Sequence, residues 1–294
     1  MPTFVPQIKC LAMEYIELND GQRLPMLGLG TYKATAGEGL SSVTVALHSG
    51  YRLIDTAAKY ENEVEVGKAI RESNIPREEI LITTKLWREN LGYENTLAAF
   101  EQSLNKLGLA YIDLYLIHWP ANEKNYGKHW QKANAAAWRA METLQAQGRA
   151  RSIGLSNFWP EHLDVLLQTA KVIPAVNQVE FHPGYWQPDL VNYCRDKGIA
   201  VQSWSPLARG TVFDNEVLRK IAEHHHKNIA QICLRWAIQH KAIVIPKSTT
   251  KERIKENIEV FDFELSADEM TLIDQIPVMG FSGELPNEWP DKVL

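Results

Sequence analysis

Eight short apolar runs punctuate the chain, and each is followed by a segment of helical character. They are MLGLG (26–30), RLID (52–55), ILITTK (80–85), IDLYLIH (112–118), SIGLSN (152–157), AVNQ (175–178), IAVQSW (199–204) and AIVIPK (242–247). Between them, stretches such as ENTLAAFEQSLNKLGL and PEHLDVLLQTAK place apolar residues three and four apart, and the first ends on Gly108 as a C-cap. Strands that alternate with helices run parallel, because each crossover returns the chain to the same end of the sheet. An open doubly wound sheet and a closed barrel both satisfy this pattern. The open dinucleotide-binding sheet would carry G-x-G-x-x-G after its first strand, whereas GLGTYK supplies only Gly28 and Gly30. Eight repeats over roughly 250 residues, with no Pro/Gly/Ser-rich linker, predict an α/β fold of the (β/α)8 TIM barrel type. A hairpin, EYIELNDGQRLP with Asp-Gly at its turn, precedes the barrel and should cross its bottom. Residues 1–13 read as a loose extension, with Met13 as an alternative start, and residues 14–294 as one barrel domain.

Net charge −5 and pI 6.0 leave no basic surface for nucleic acid or anionic membrane. No window reaches the roughly 18 apolar residues of a membrane span. The N-terminus lacks the basic start and long apolar stretch of a secretory signal. Cys10, Cys194 and Cys233 are widely spaced and odd in number, which argues against a disulfide framework and for a reducing cytoplasm.

In a barrel the active site lies at the carboxyl ends of the strands. Those ends carry Asp55, Lys85, His118, Ser156 with Asn157, Gln178, Trp204 with Ser205, and Lys247 with Ser248. Singly, each has an ordinary reading: His118 as a hydrogen-bonded structural histidine, Asp55 and Lys85 as a structural ion pair. Their convergence on one mouth makes a site. Tyr60, five residues beyond Asp55, has an ordinary phenol pKa of about 10 and is by itself a poor acid or base. A lysine cation nearby should lower that pKa. Asp55 would hold Lys85 in place, and His118 would hydrogen-bond the substrate oxygen that Tyr60 protonates. Such a group suits proton transfer to a carbonyl oxygen.

The nine histidines include no H-x-x-x-H or H-E-x-x-H pattern, so no metal site is expected. The run His224–His226, beside Lys227, reads as a solvated turn at a helix end. A paired-carboxylate hydrolase is the rival chemistry, but Asp55 and Glu180 are the only acids near strand tips, and Lys85 neutralises the first.

After the eighth strand, IPKSTTKERIKENIEV puts Ser248, Thr249 and Thr250 at a helix start, with Lys247 before and Arg253 one turn in. Free backbone N–H groups and two bracketing cations suit a phosphate, although a plain Ser/Thr cap is the simpler reading of the stretch alone.

GYRLIDTAAKYENEVEVGKAI, YLIHWP, RSIGLSNF, AVNQVEFHP and IPKSTTKERIKEN resemble, in order, the signature segments of the aldo-keto reductase family. The likeness runs from about Glu14 to the C-terminus. It implies a barrel that binds NADPH/NADP+ without a Rossmann fold, and a catalytic tetrad of Asp55, Tyr60, Lys85 and His118. It also implies Ser156, Asn157 and Gln178 on the nicotinamide carboxamide and Trp204 stacked on the ring. Ser205 and Leu207 belong to the same cofactor wall, and Lys247, Ser248, Thr249, Arg253, Glu256 and Asn257 match the adenosine and 2′-phosphate segment.

Two positions depart from the family pattern: Trp204 replaces a commoner tyrosine, and Tyr32 a commoner pocket tryptophan. The short SPLARGTVFDN segment and modest tail are similar to the compact microbial members, such as the 2,5-diketo-D-gluconate reductases. Tyr32, Trp87, Trp119 and Trp130 are the candidate substrate-pocket residues. The implied activity is NADPH-dependent reduction of small aldehydes and ketones by a cytoplasmic monomer. The alternative is a cofactor-sensing or scaffold barrel with little turnover, which the intact tetrad disfavours.

Overall fold

The computed structural model describes residues 13–34 and 36–288. Of the extension expected at residues 1–13, only Met13 lies within that range; it is half-buried against the core, and Cys10 falls outside. Strands β1 (Tyr15–Glu17) and β2 (Arg23–Pro25) form the hairpin, with Tyr15 opposite Pro25. Gly21 takes φ +83°, a value that side chains resist, and Asp20 Oδ1 accepts the Gln22 N–H, so Asp-Gly shapes the turn as expected. Asn19 Nδ2 donates to the carbonyls of Pro174 and Gly198, which lie just before two barrel strands. The hairpin therefore closes the bottom.

Eight parallel strands follow: β3 (Leu29–Gly30), β4 (Leu53–Asp55), β5 (Leu81–Leu86), β6 (Ile112–Ile117), β7 (Ala150–Ser156), β8 (Val176–Glu180), β9 (Ala200–Trp204) and β10 (Ile243–Val244). Each pairs with its sequence neighbour, and the ring closes through parallel bridges Leu27↔Val244 and Gly30↔Lys247. Gly28 N–H donates to Val244 O at 2.8 Å, and Val244 N–H to Met26 O at 2.9 Å. Every one of the eight apolar runs supplies one strand. The strands are buried on both faces, as β6 (IDLYLI) is throughout, which explains continuous apolar runs rather than alternation.

Helices α1 (Ala36–His48), α2 (Glu63–Glu72), α3 (Tyr93–Leu107), α4 (Glu123–Tyr126), α5 (Trp130–Ala146), α6 (Pro160–Leu167) and α7 (Pro188–Asp196) fill the first connections. Gly108 ends α3 at φ +63°, its N–H and that of Leu109 bonding back into the last turn. Two helices, α8 (Glu216–His225) and α9 (Ile229–Gln239), separate β9 from β10. Then α10 (Lys251–Asn257) and α11 (Ala267–Asp274) lead into an irregular tail. That tail crosses the mouth, where Ser282 bonds to Glu180 through N–H and Oγ, and Asn122 Nδ2 donates to Pro286 O. Among the described residues no helix is long and apolar enough to cross a membrane.

Candidate active site

Asp55 closes β4, and Lys85 stands one residue before the end of the neighbouring β5. Their side chains are 2% and 0% exposed, and Lys85 Nζ donates to Asp55 Oδ1 at 2.5 Å. It also donates to Thr56 O at 2.9 Å and reaches Tyr60 Oη at 3.4 Å. A lone buried charge is costly, so each ion of the pair needs the other. Burial pulls both toward their neutral forms, raising Asp55 and lowering Lys85, while their mutual attraction and hydrogen bond oppose this. Asp55 has a second partner: Gln178 Nε2, from β8, donates to Oδ2 at 2.8 Å and also to Gln202 Oε1 at 2.7 Å.

Tyr60 ends a single 3-10 turn, residues 58–60, after which Glu61 turns through the left-handed region. The expectation that Lys85 lowers its pKa does not hold. Burial pushes the phenol well above its usual range, and the charges of Asp55, Tyr32 and Glu284 push it the same way. Lys85 Nζ is shared between Asp55 Oδ1, Thr56 O and Tyr60 Oη, the last at 3.4 Å, and its charge does not outweigh the burial of the phenol. The phenol is a protonated donor, not an incipient anion.

His118 follows β6 and lines the same cavity, edge-on to Tyr60 (5.5 Å between centroids) and to Trp87 (5.3 Å). Burial and the Lys85 charge hold its pKa well below 6.5, so the imidazole is neutral. Tyr32 packs on Tyr60 with ring centroids 5.0 Å apart.

The next tips interlock. Asn157 sits at φ +63°, which directs its amide sideways. Its Nδ2 donates to His118 O and Ser156 Oγ, and its Oδ1 accepts the Trp204 indole N–H at 2.8 Å. Ser156 Oγ donates to Gln178 O. The indole plane of Trp204 is thus set by the tip of β7.

These groups wall a cavity of about 630 Å³ that also includes Trp119, Ser205, Leu207 and Lys247. Trp130 is not among its lining; it starts α5 and packs on His162. Beyond Lys247, Ser248 Oγ accepts the Thr250 N–H, and α10 follows from Lys251. Lys247, Thr249 and Arg253 are exposed, and their side chains have no hydrogen-bond or ion-pair partner among the described residues. Glu256 is exposed and accepts from Asn228 Nδ2, while Asn257 is buried at the end of α10.

Sequence reasoning missed four charged cavity residues. Lys33 and Lys59 lie over the rings of Tyr32 and Trp87, and Arg209 and Glu284 form an ion pair at 3.0 Å. Lys59 was visible in the tip segment of β4. Glu284 comes from the irregular tail, where no periodicity gave a signal.

The sequence model of the aldo/keto reductase family matches residues 26–277. The chain belongs to this family. It is 48% identical to the glyoxal reductase of Bacillus subtilis (strain 168) over 274 residues, which cover 93% of this chain and 96% of that protein. It is 47% identical over 265 residues to the 9,11-endoperoxide prostaglandin H2 reductase of Trypanosoma cruzi (strain CL Brener), covering 89% and 90%. Among solved structures, an aldo/keto reductase from Brucella melitensis superposes with TM-score 0.85 at 45% identity, covering 90% of this chain and 100% of that one. A Gox0644 variant in complex with NADPH superposes with TM-score 0.88 at 39% identity, covering 95% and 99%.

Proposed function

We propose that this aldo/keto reductase reduces compact aldehydes and ketones to alcohols with NADPH, Tyr60 donating the proton to the carbonyl oxygen. The observation that carries the reading is a protonated, buried Tyr60 phenol and a neutral His118 facing one cavity, both backed by Lys85. NADPH, when bound, supplies hydride to the carbonyl carbon. The residues present fit it: an indole fixed edgewise by Asn157 offers a flat wall, the exposed Lys247 lines the same cavity, and Arg253 stands six residues on, in the first turn of α10. In this assignment Trp204 packs on the nicotinamide, with Ser156, Asn157 and Gln178 at its carboxamide and Ser205 and Leu207 along the same wall. Lys247, Ser248, Thr249, Arg253, Glu256 and Asn257 take the adenosine 2′-phosphate end.

On the substrate side, His118 orients the carbonyl oxygen toward Tyr60 Oη. Tyr60 gives its proton as the oxygen gains charge, a step in which a positioned acid contributes about 10²–10⁴-fold. Lys85 and Asp55 keep the phenol in place, and Lys85 lies close enough to stabilise the phenolate left behind. Tyr32, Trp87 and Trp119 wall the pocket with rings, which favours compact substrates over steroids. The name of the B. subtilis relative points the same way, to small dicarbonyl compounds.

The site is completed by one chain, the two described cysteines are free, and net charge is −5. These support a cytoplasmic monomer without a nucleic-acid partner. Oxidation of NADPH followed by absorbance, with glyoxal, benzaldehyde and a steroid ketone, tests the reading. Turnover of the first two well above the third is expected. No consumption with any carbonyl would leave the scaffold alternative standing.

A further inference from the structure

On the barrel's outer layer, far apart in sequence, α8 and α11 bring three metal-ligating side chains to one point. Glu269 Oε1 lies 2.9 Å from His224 Nδ1 and 3.0 Å from His225 Nε2. All three ligand atoms fall within 4.8 Å of one another. The carboxylate is fixed from behind, since Glu269 Oε2 accepts the Ser266 N–H at 2.8 Å in the capping box that starts α11. Its Oε2 is also 3.1 Å from His225 Nε2.

We propose that His224 Nδ1, His225 Nε2 and Glu269 Oε1 form a three-ligand site for a divalent transition metal of the zinc class. Zinc bonds nitrogen and carboxylate oxygen at about 2.0–2.2 Å, so neighbouring ligands of a tetrahedral ion stand roughly 3.3 Å apart. The two ring nitrogens already stand near that distance from the oxygen, at 2.9 and 3.0 Å, and all three ligand atoms lie within 4.8 Å of one another. Two imidazoles and one carboxylate suit zinc, nickel or copper rather than calcium or magnesium, which prefer oxygen. Glu269 is preorganised for a cation. The Ser266 N–H holds Oε2, which leaves Oε1 facing both imidazoles. His224 is 74% exposed, giving an ion an open path and room for a water as fourth ligand, while His225 and Glu269 are 15% and 13% exposed. The rival arrangement is a hydrogen-bonded cluster alone, with His224 protonated at Nδ1 and His225 at Nε2.

A bound ion would pin the last turn of α8 to the first turn of α11. The site owes nothing to the carbonyl chemistry, so it stands or falls independently of the proposed function.

The test is calorimetric titration of zinc chloride into the chelator-stripped full chain, carrying no polyhistidine tag, at about pH 7.5. Thermal unfolding is followed with and without zinc. One equivalent should bind and raise the unfolding temperature. His225→Asn and Glu269→Gln should each weaken binding more than about ten-fold, the loss expected from a mere outer-shell partner, and abolish the thermal shift. Glutamine retains the capping box, and unchanged NADPH-dependent reduction shows that both variants fold. Undiminished binding in both variants, or neither heat nor thermal shift up to about 1 mM zinc, would overturn the proposal in favour of the hydrogen-bonded cluster.

Discussion

Gln178 donates from Nε2 to Asp55 Oδ2 at 2.8 Å, on the carboxylate oxygen that Lys85 leaves free. Asp55 is therefore held by a cation from the adjacent strand and by an amide from across the barrel. A residue expected at the cofactor carboxamide thus also braces the Asp55–Lys85 pair. Gln178→Leu should weaken NADPH binding and also lower kcat. A variant that changes only the KM for NADPH would show that the brace is dispensable.

The Asp55–Lys85 pair is buried, so removing one partner strands the other. Lys85→Met should destabilise the fold by about 3–5 kcal/mol, and Asp55→Asn by less, because its amide still bonds Gln178. The double variant Asp55→Asn/Lys85→Met should recover part of the loss. Denaturant unfolding of all four proteins measures the coupling. Strictly additive losses would mean that the pair does not interact as its 2.5 Å contact implies.

The pKa directions set the pH dependence of reduction. Tyr60 is raised, so its donor form persists above the ordinary phenol range; His118 is lowered, so its neutral form persists below 6.5. Both required forms coexist across neutrality, and kcat/KM should stay flat from about pH 6 to about pH 9. A rate that halves near pH 6.5 on acidification would place an imidazolium in the site. Loss of rate near pH 8 would mean that the phenol ionises early, as the residues alone had suggested.

In the proposed assignment, cofactor choice rests on Lys247, before α10, and Arg253, within it. Arg253→Ala should reduce kcat/KM for NADPH by about ten-fold or more while leaving NADH nearly unchanged, because only NADPH carries the 2′-phosphate. The comparison needs fixed salt, since exposed charges are screened. Equal use of both cofactors by the unmodified protein would exclude a 2′-phosphate site there.

Much of this was legible in the residues. Strands such as β6 (IDLYLI) read as nearly continuous apolar runs because parallel barrel strands are buried on both faces, and the order of the runs implies closure. Asp55, Lys85 and His118 were found because a barrel converges its strand ends. Burial depth was not legible, and it reversed the expected direction for Tyr60. The Gln178–Asp55 and Asn157–Trp204 contacts join strands that are not neighbours, and Asn157 needs a left-handed turn to make its own. Glu284 reaches the mouth from an irregular tail, and Glu269 meets the histidine run only through the packing of α11 on α8. Trp130 looked like a pocket ring because it follows the β6 loop, but helix α5 begins there and turns it onto His162.

The most direct test of the account is kcat for NADPH-dependent reduction of a compact aldehyde by Tyr60→Phe, with NADPH affinity measured alongside. Phenylalanine keeps the ring against Tyr32 and His118 and removes only the hydroxyl. The account predicts a fall in kcat of about 10²–10⁴ with NADPH affinity unchanged. A Tyr60→Phe protein that keeps most of its carbonyl reduction would contradict it.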